Sequence, residues 1–395
     1  MLIVVSCNDT AVDFHEDEDH VAIADAVRSV CAKFDDEYWM NCERDHRFPW
    51  EFYNLMAAGG WLGIAMPEEY GGGGRGITEA AILLREVARS GAAMNGCSAL
   101  HLTIFGLNPV ALFGNDRLKS EFLPRAAKGE LHVAFGVTEP DAGTDTSGIT
   151  TRAEPDGKGG YIVRGRKIWT SKALEAQVVL LLVRTGGEGF KGLSLLLADL
   201  DPDYVDIRAI PKMGRNAVAS CEVAYDGLPV EGWRLVGEEN QGWKYLLHGI
   251  NPERILLSAE SVGIGEAALR KAVGYATERE VFGRPIGANQ AISHPLAQSH
   301  IQLRSAWHLS QYAAWLYDNG MECGEAANSA KYLAAEAAFQ AADRAVQTFG
   351  GMGYATEYHV ERYFREARLQ RIVPVSQEMT LNYIAQQVLK LPRSY

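Results

Sequence analysis

Four segments of the sequence combine hydroxyl, glycine and aromatic residues in patterns that suit the binding of a large cofactor. Residues Ala134–Gly148 read AFGVTEPDAGTDTSG, and Lys167–Ser171 read KIWTS. Further along, Tyr275–Gln290 read YATEREVFGRPIGANQ and Val346–Tyr354 read VQTFGGMGY. Backbone N–H groups left accessible by small residues, together with hydroxyls, can bind a pyrophosphate or the polar edge of a flavin ring.

The elements that must position these segments fall into three zones. The first is helical and runs to about residue 131, with apolar residues at the i, i+3, i+4 spacing of one helix face. The second, residues 132–240, carries strand-like runs separated by turn-rich pieces, and the runs are Tyr161–Val163, Val178–Val183, Leu193–Leu197 and Val223–Tyr225. Because no long helical segment intervenes, this zone predicts an antiparallel β unit.

The third zone, residues 241–395, is helical again. Apolar residues recur at helical spacing from Ile255 to Val273, and the alanine-rich stretch Ala326–Ala345 favours a further helix. Within it, Gly263–Ala268 match a loose GxGxxA pattern, but no strand precedes them, so they predict close helix packing rather than a dinucleotide site. The zone therefore predicts a helical bundle.

Composition excludes several classes of function. The 395 residues include 50 acidic and 38 basic side chains, giving a net charge of −12. An acidic surface repels phosphate backbones, so we expect no nucleic-acid partner. The six cysteines are scattered without a CxxC pair, which fits a reducing cytoplasm and predicts neither a disulfide framework nor a zinc site.

The sequence also predicts no metal site and no membrane association. The run HEDEDH at His15–His20 places acids before a helix, where they stabilise its N-terminal dipole. The only apolar N-terminal run, Leu2–Val5, is too short for a signal segment, and no other stretch reaches the length of a membrane helix.

The four segments, in this order, resemble the acyl-CoA dehydrogenase flavoprotein family. The T-E-P-x-A-G-[ST]-D and R-x-x-F-G-x-P-I…Q patterns are the specific ones, and the resemblance extends from about Trp61 to the C-terminus. It implies a mainly α fold with a central β-barrel: an N-terminal helical domain (1–131), a β-barrel middle domain (132–240) and a C-terminal four-helix bundle (241–395). It also implies a homotetramer or dimer that shares FAD sites between subunits.

The resemblance implies which residues would bind FAD. Phe135, Val137 and Thr138 would lie along the flavin ring, with Trp169 and Ser171 flanking it. Gly143 and Thr144 would approach the pyrophosphate and the thioester of the substrate. The remaining positions would serve the cofactor of a neighbouring subunit or touch it near the C-terminus; they are Arg279, Phe282, Gln290, Gln347, Gly351, Ser376 and Glu378.

The chemistry that the resemblance implies is removal of an α-proton from an acyl thioester, with hydride transfer from the β-carbon. Most relatives carry the catalytic glutamate in the C-terminal segment, where this sequence has Pro374. Proline can neither act as a base nor donate a backbone N–H. A subset that includes isovaleryl-CoA and long-chain acyl-CoA dehydrogenases places the base in a motif matched here by Asn251–Ile255, so Glu253 is the candidate base. Glu260, one heptad later, is the alternative.

A structural interpretation of Glu253 remains open at this point. If Asn251 caps a helix that starts at Pro252, then Glu253 simply stabilises the helix dipole. Arg254 and Thr144 are candidate substrate-binding residues, although Arg254 is also expected to pair with a carboxylate. His101 lies in the helix that lines the acyl pocket in the family, and a buried structural histidine is the alternative interpretation.

The sequence therefore predicts an FAD-dependent acyl-CoA dehydrogenase acting on a short-to-medium acyl-CoA, straight or branched. An electron-transfer flavoprotein would accept its electrons. One alternative keeps the fold but makes the protein an oxidase, a monooxygenase or an acyl-carrier-protein dehydrogenase. Another is a non-catalytic member that binds acyl-CoA or DNA.

Overall fold

The computed structural model describes residues 17–393 and starts with a helical region. Asp17 caps the first helix, because its carboxylate accepts a hydrogen bond from the Asp19 N–H at 2.8 Å. His15 and Glu16 of the acidic run lie outside the described residues. The helices of this region are α1 (Glu18–Cys31), α2 (Asp36–Arg44), α3 (Trp50–Ala58), α4 (Ile77–Val87), α5 (Ala93–Phe105), α6 (Asn108–Phe113) and α7 (Asp116–Ala127).

A curled sheet follows. Its strands are β1 (Val133–Gly136), β2 (Arg152–Pro155), β3 (Tyr161–Ser171), β4 (Val178–Arg184), β5 (Leu193–Asp199), β6 (Val205–Ala209) and β7 (Ser220–Val230). The four predicted runs all lie in strands, whereas β1, β2 and β6 have too few residues to show a sequence pattern. The strand order is β1-β4-β2-β3-β7-β6, and β5 pairs with β4.

The prediction of a purely antiparallel unit is wrong for two pairings of β4, which runs parallel to β1 and, at Arg152 opposite Arg184, parallel to β2. β1 pairs with β4 in parallel, with Val133 opposite Val178. Parallel neighbours need a long crossover, which is usually a helix. Between β1 and β4 the chain that includes the β2–β3 hairpin makes the crossover, and between β2 and β4 strand β3 does; the absence of a helical segment hid both parallel pairings.

The central strand β4 is buried along its whole length, which explains its unbroken apolar sequence. Leu180 and Leu182 pack in one hydrophobic cluster, while Val179 and Leu181 pack in another on the opposite face. A strand covered on both faces needs apolar residues at every position rather than at alternate ones. The sheet thus has two cores, one of which includes residues of α7.

The C-terminal helices form a bundle around a single long helix. They are α8 (Gly242–Glu278), α9 (Gln290–Asp318), α10 (Gly324–Phe349), α11 (Val360–Gln370) and α12 (Gln377–Tyr383), and a short hairpin of β8 (Glu280–Val281) and β9 (Arg284–Pro285) joins α8 to α9. Alanines of α10 and apolar residues of α8 and α9 share one hydrophobic cluster with α1–α5.

Helix α8 continues through Pro252, which corrects the idea that Asn251 caps a new helix there. The helix begins at Gly242, so Pro252 and Glu253 lie three turns into it. Proline removes one internal N–H and usually kinks or breaks a helix. Burial of the helix on both sides of Pro252, against α5, α10 and β5, holds it together.

The stretch Ile77–Phe113, which contains α4, α5 and α6, is apolar enough to cross a membrane by length and composition alone. Its most apolar window has a mean hydropathy of 1.4, which corrects the prediction that no segment reaches this level. Seventy-eight per cent of that window is buried inside the protein. Such burial is typical of a core helix, and every residue of α5 is buried.

Two glycines of α8 allow neighbouring helices to approach closely. A Cβ on Gly263 would lie 2.4 Å from the Arg85 carbonyl oxygen and 2.6 Å from Ala88 Cβ. A Cβ on Gly265 would lie 3.1 Å from Ala338 Cα of α10. The GxGxxA pattern therefore packs helices, as the sequence predicted.

Substituting Gly263 with alanine tests this packing. We expect Gly263→Ala to lower the free energy of unfolding by about 1–3 kcal/mol, because the added methyl group meets rigid backbone. Gly274→Ala, on the same helix with no atom within 4 Å of the new Cβ, is the control and should stabilise by about 0.5 kcal/mol. Denaturant titration of both variants measures the difference, and equal stabilities would contradict the close approach.

Candidate active site

Glu253 lies in the interior of α8 and is half-buried. Burial raises the pKa of its carboxyl group to about 7, although the nearby His101 and Arg254 charges act in the opposite direction. No residue within 17–393 donates a hydrogen bond to this carboxylate. A half-buried carboxyl group that has no hydrogen-bond donor and titrates near neutrality has the properties of a general base.

Glu260 and His101 form a buried pair beside Glu253. His101 Nδ1 lies 2.7 Å from Glu260 Oε1, and Glu260 is fully buried while its Oε2 atom has no partner. Burial by itself lowers the pKa of His101, but the Glu260 and Glu253 carboxylates raise it above its ordinary value. His101 is thus close enough to respond to both carboxylates, which lie two turns apart on one face of α8.

Arg254 does not form the ion pair that the sequence led us to expect. Its Nη1 atom donates to Asn251 Oδ1 at 2.9 Å, and its Nε atom is buried without a partner. Within residues 17–393, no carboxylate oxygen lies within ion-pair distance of its guanidinium. The side chain is held within its own helix by an i, i+3 contact, which leaves part of its donor capacity available.

The end of β3 brings three of the predicted cofactor residues together. The Ile168 N–H donates to the Thr138 carbonyl oxygen at 2.9 Å, so the segment after β1 lies directly beside Trp169. The pairing of β3 with β7 is irregular between Lys167 and Thr170. In this bulge, Trp169 adopts a φ of +62° and leaves 53% of its surface exposed. Bulges of this kind commonly re-aim a side chain next to an active site.

Phe135, Gly143 and Thr144, which also lie near the end of β3 in the predicted cofactor site, make fewer contacts in the structure. Phe135 is partly buried, and its ring lies 6.4 Å from that of Phe105 on α5. Gly143 and Thr144 are exposed, and a Cβ on Gly143 would meet no atom within 4 Å. This open loop, together with the indole and hydroxyl groups of the bulge, fits the edge of a flavin and its phosphates.

Glu139 anchors the loop from within the T-E-P segment. It accepts hydrogen bonds from the Thr150 and Thr151 N–H groups and from Lys167 Nζ at 2.9 Å, and Lys167 also donates to the Val137 carbonyl oxygen. Burial by itself raises the pKa of Glu139, but the Lys167 charge and these hydrogen bonds lower it to about 2. This buried pair therefore fixes the backbone on both sides of Thr138.

The cofactor residues predicted to serve a neighbouring subunit lie at the surface. Phe282 is fully exposed at the tip of the β8–β9 hairpin, with a φ of +54°. The rings of Tyr275 and Phe349 stack with centroids 4.1 Å apart, and this contact joins the end of α8 to the end of α10. The stack places one exposed set of predicted residues at the same end of the bundle, namely Arg279, Gln290, Gln347 and Gly351.

The C-terminal segment positions its predicted residues differently. Ser376 caps α12, since its hydroxyl accepts a hydrogen bond from the Met379 N–H at 3.4 Å, and Glu378 is exposed in the first turn. Pro374 follows a cis peptide bond. The carbonyl oxygen of Val375 accepts a hydrogen bond from the buried Lys331 at 2.7 Å, so this segment is tied to α10.

Two cations near the bulge, the buried Lys172 and the half-buried Arg215, were missed by the sequence analysis. Lys172 donates to the Ala99 carbonyl oxygen and to Thr103 Oγ1, and burial lowers its pKa to about 7. Arg215, in the loop between β6 and β7, donates to Ser98, Ser171 and Ser220. The loop has no recognisable motif; the only signal was a Met-Gly-Arg-Asn sequence typical of a turn.

The described residues hold no cluster of three or more metal-binding side chains. The five cysteines within 17–393 are buried free thiols, and Cys7 lies outside this range.

The Glu139–Lys167 pair yields a pH prediction. A pKa lowered to about 2 means that the ionised carboxylate stabilises the fold above its ordinary pKa, and that this stabilisation is lost as the pH falls from about 4.5 toward 2. We expect Glu139→Gln to cost about 3 kcal/mol at pH 7 and progressively less below pH 4.5. Thermal unfolding across this range measures the difference.

The exposed Glu154 on β2 provides a matched control. Glu154→Gln should change the free energy of unfolding by less than about 0.5 kcal/mol. If Glu139→Gln lowers the free energy of unfolding only slightly at pH 7, or lowers it more in acid than at pH 7, Glu139 does not anchor the loop.

Family models described as the acyl-CoA dehydrogenase N-terminal, middle and C-terminal domains match residues 17–130, 134–228 and 240–389. Acyl-CoA dehydrogenase FadE12 of Mycobacterium tuberculosis is 40% identical over 98% of this chain and 100% of its own length. An acyl-CoA dehydrogenase of Bacillus subtilis is 34% identical over 88% of this chain and 92% of its own. Butyryl-CoA dehydrogenase from Megasphaera elsdenii superimposes with a TM-score of 0.92 at 28% identity, over 95% of this chain and 100% of that one.

Proposed function

The chain belongs to the acyl-CoA dehydrogenase family of FAD-binding flavoprotein oxidoreductases, and from this premise we propose that it converts a short-to-medium acyl-CoA to the trans-2-enoyl-CoA. The observation that carries the proposal is the unpartnered carboxylate of Glu253, which is half-buried in α8 and has a pKa of about 7. The subset resemblance seen in the sequence, with Pro374 at the usual position of the base, agrees with this assignment.

Glu253 would remove the α-proton of the thioester. The α-hydrogen is weakly acidic, so the base must be held close to it in a site that excludes water. A carboxylate with a pKa near 7 is substantially ionised at neutral pH and yet more basic than a solvated one. The proton goes to Glu253, and the electrons of the α C–H bond form the new double bond as the β-carbon loses hydride.

FAD, when bound, accepts that hydride. In this chain Thr138, Trp169 and Ser171 would hold the ring, with Phe135 and Val137 along it and Gly143 and Thr144 near the phosphates. Their arrangement supports this role, since the bulge exposes an indole beside two hydroxyl residues and an open loop. Ser376 and Glu378 would contribute from the start of α12.

His101 and Arg254 would line the substrate site beside Glu253. The butyryl-CoA dehydrogenase relative supports a short acyl chain for this protein. In the family, a base on the α8 position rather than in the C-terminal segment accompanies branched chains, and we extend the proposal to them. Reaction of straight long chains only would contradict this choice of substrate.

The electron acceptor would be an electron-transfer flavoprotein, and the assembly a homotetramer or a dimer. The exposed positions of Arg279, Phe282, Gln347 and Gly351 support a cofactor site completed by a second subunit. Rapid oxygen consumption during turnover would instead favour an oxidase or monooxygenase.

Replacing the base tests the reaction directly. We expect acyl-CoAs, added without oxygen, to bleach the oxidised flavin band of the purified protein, and Glu253→Gln to slow this bleaching by at least about 100-fold. The amide keeps the size of the side chain but cannot accept the proton. Stopped-flow absorbance with a panel of acyl-CoAs measures the rate and identifies the chain that is preferred.

Two further variants make the result specific. Glu325→Gln, at an exposed position in the first turn of α10, should bleach at the wild-type rate. Bleaching lost in Glu260→Gln but retained in Glu253→Gln would move the base to Glu260. A wild-type protein that binds FAD and is bleached by no acyl-CoA would contradict the proposed function.

The raised pKa of Glu253 predicts the pH dependence of this step. The base works only when ionised, so the bleaching rate at low acyl-CoA concentration should rise as the pH increases through about 7 and level off above it. Since the His101 charge lowers the pKa of Glu253, His101→Asn should move the midpoint to higher pH. A rate that does not change between pH 6 and pH 8.5 would contradict the assignment of Glu253.

A further inference from the structure

Arg215 joins three parts of the fold through serine hydroxyls. Its Nη1 atom donates to Ser98 Oγ on α5 at 3.3 Å, and its Nη2 atom donates to Ser171 Oγ at the end of β3 at 3.0 Å. Nη2 also donates to Ser220 Oγ at the start of β7. The guanidinium therefore lies directly behind the bulge that carries the predicted flavin-binding residues.

This cation has no carboxylate partner. Within residues 17–393, no Asp or Glu oxygen lies within 4 Å of its guanidinium, and its Nε atom is buried without a hydrogen-bond acceptor. The backbone of Arg215 adopts a φ of +60°, which is costly for a residue with a side chain. A half-buried charge that lacks a carboxylate partner and sits on a strained backbone is destabilising, and such features cluster where function requires them.

The hydrogen-bond chemistry of arginine fixes the direction of the serine hydroxyls. Arginine can only donate, so each serine oxygen must turn a lone pair toward it and its proton away. Among the described residues, no acceptor is present for the proton of Ser171 or of Ser98. Ser171 thus presents a polarised O–H donor on the side of the bulge that faces away from Arg215.

We propose that Arg215 is a positioning residue that orients the Ser171 hydroxyl as a donor to the flavin ring and places a positive charge behind it. This inference rests on the proposed function, because it requires FAD to bind at the bulge. A flavin that receives hydride gains electron density, and a fixed donor backed by a cation stabilises that density without reorganisation. Arg215 would therefore make the bound flavin easier to reduce.

Three carboxylates lie close enough to interact with the Arg215 charge, but none of them forms an ion pair with it. Glu260 on α8, Glu366 on α11 and Glu43 on α2 all favour the charged form of Arg215, while Lys212 is a neighbouring cation. Glu366 is itself hydrogen-bonded to Met94 N and Asn95 Nδ2. The hydroxyls, rather than these carboxylates, are the groups that Arg215 touches.

The test is the two-electron reduction potential of the bound flavin, measured by anaerobic titration with a reference dye and without acyl-CoA. Arg215→Gln should shift the equilibrium at least tenfold toward oxidised flavin, which is about 30 mV for a two-electron couple. Arg215→Lys keeps the charge but not the planar fork, so its shift should be smaller. Ser171→Ala should lower the potential as well, and Arg215→Lys should have little further effect in that background.

Arg208→Gln is the matched control, because Arg208 is a 76% exposed arginine of the same sheet. It should leave the potential unchanged. If Arg215→Gln fails to fold or to hold FAD, then Arg215→Lys and Ser171→Ala decide the question. If both Arg215→Lys and Ser171→Ala change the equilibrium constant for flavin reduction by less than twofold from the wild-type value, the proposed role of Arg215 is wrong.

The dye titration separates this inference from the proposed reaction. A wild-type protein that binds FAD but is bleached by no acyl-CoA contradicts the reaction, whereas the potentials of its variants still test Arg215. A wild-type protein that binds no FAD contradicts both.

Discussion

The unbroken course of α8 through Pro252 is the constraint on which the rest of the site depends. It holds Glu253 and Glu260 two turns apart on one face of a rigid helix, instead of leaving Glu253 in a solvated first turn. Proline weakens the helix at this point, so tertiary burial must compensate. The same packing against α5 brings His101 within hydrogen-bond distance of Glu260. The chemistry of the carboxylates thus follows from how closely two helices can approach.

Charged side chains are buried in this molecule in two distinct ways. Glu139 and Lys167 are fully paired: the Lys167 charge helps lower the pKa of Glu139 to about 2, whereas burial lowers the pKa of Lys167 to about 8 against the opposing effect of Glu139. Glu253 and Arg215 are half-buried and have no carboxylate or cationic partner, so their partial removal from water is a cost that stability does not explain. The paired groups fix the backbone of the T-E-P loop, whereas Glu253 keeps a carboxylate without a hydrogen-bond donor and Arg215 donates to Ser171 at the bulge.

Local sequence patterns were sufficient to predict the helices, the longer strands and the close-packed glycines of α8. They were insufficient for the short strands β1, β2 and β6, because four or five residues do not establish a period. They also gave the wrong pairing for β1, since strand order depends on which segments meet in space. The interpretation of Glu253 as an N-terminal helix residue was wrong for a similar reason, because Asn-Pro-Glu begins helices in isolation.

The sequence by itself determined the family, the three-zone architecture and the types of residue available for flavin and thioester chemistry. These are properties of motifs and periodicities that survive without any knowledge of contacts. Only the tertiary structure decided which of these residues share an environment. It left Glu253 without a partner while pairing His101 with Glu260, and it placed Arg215 behind Ser171, 44 residues away in sequence. Electrostatic interactions depend on distance and burial in three dimensions, and neither quantity is written in the local sequence.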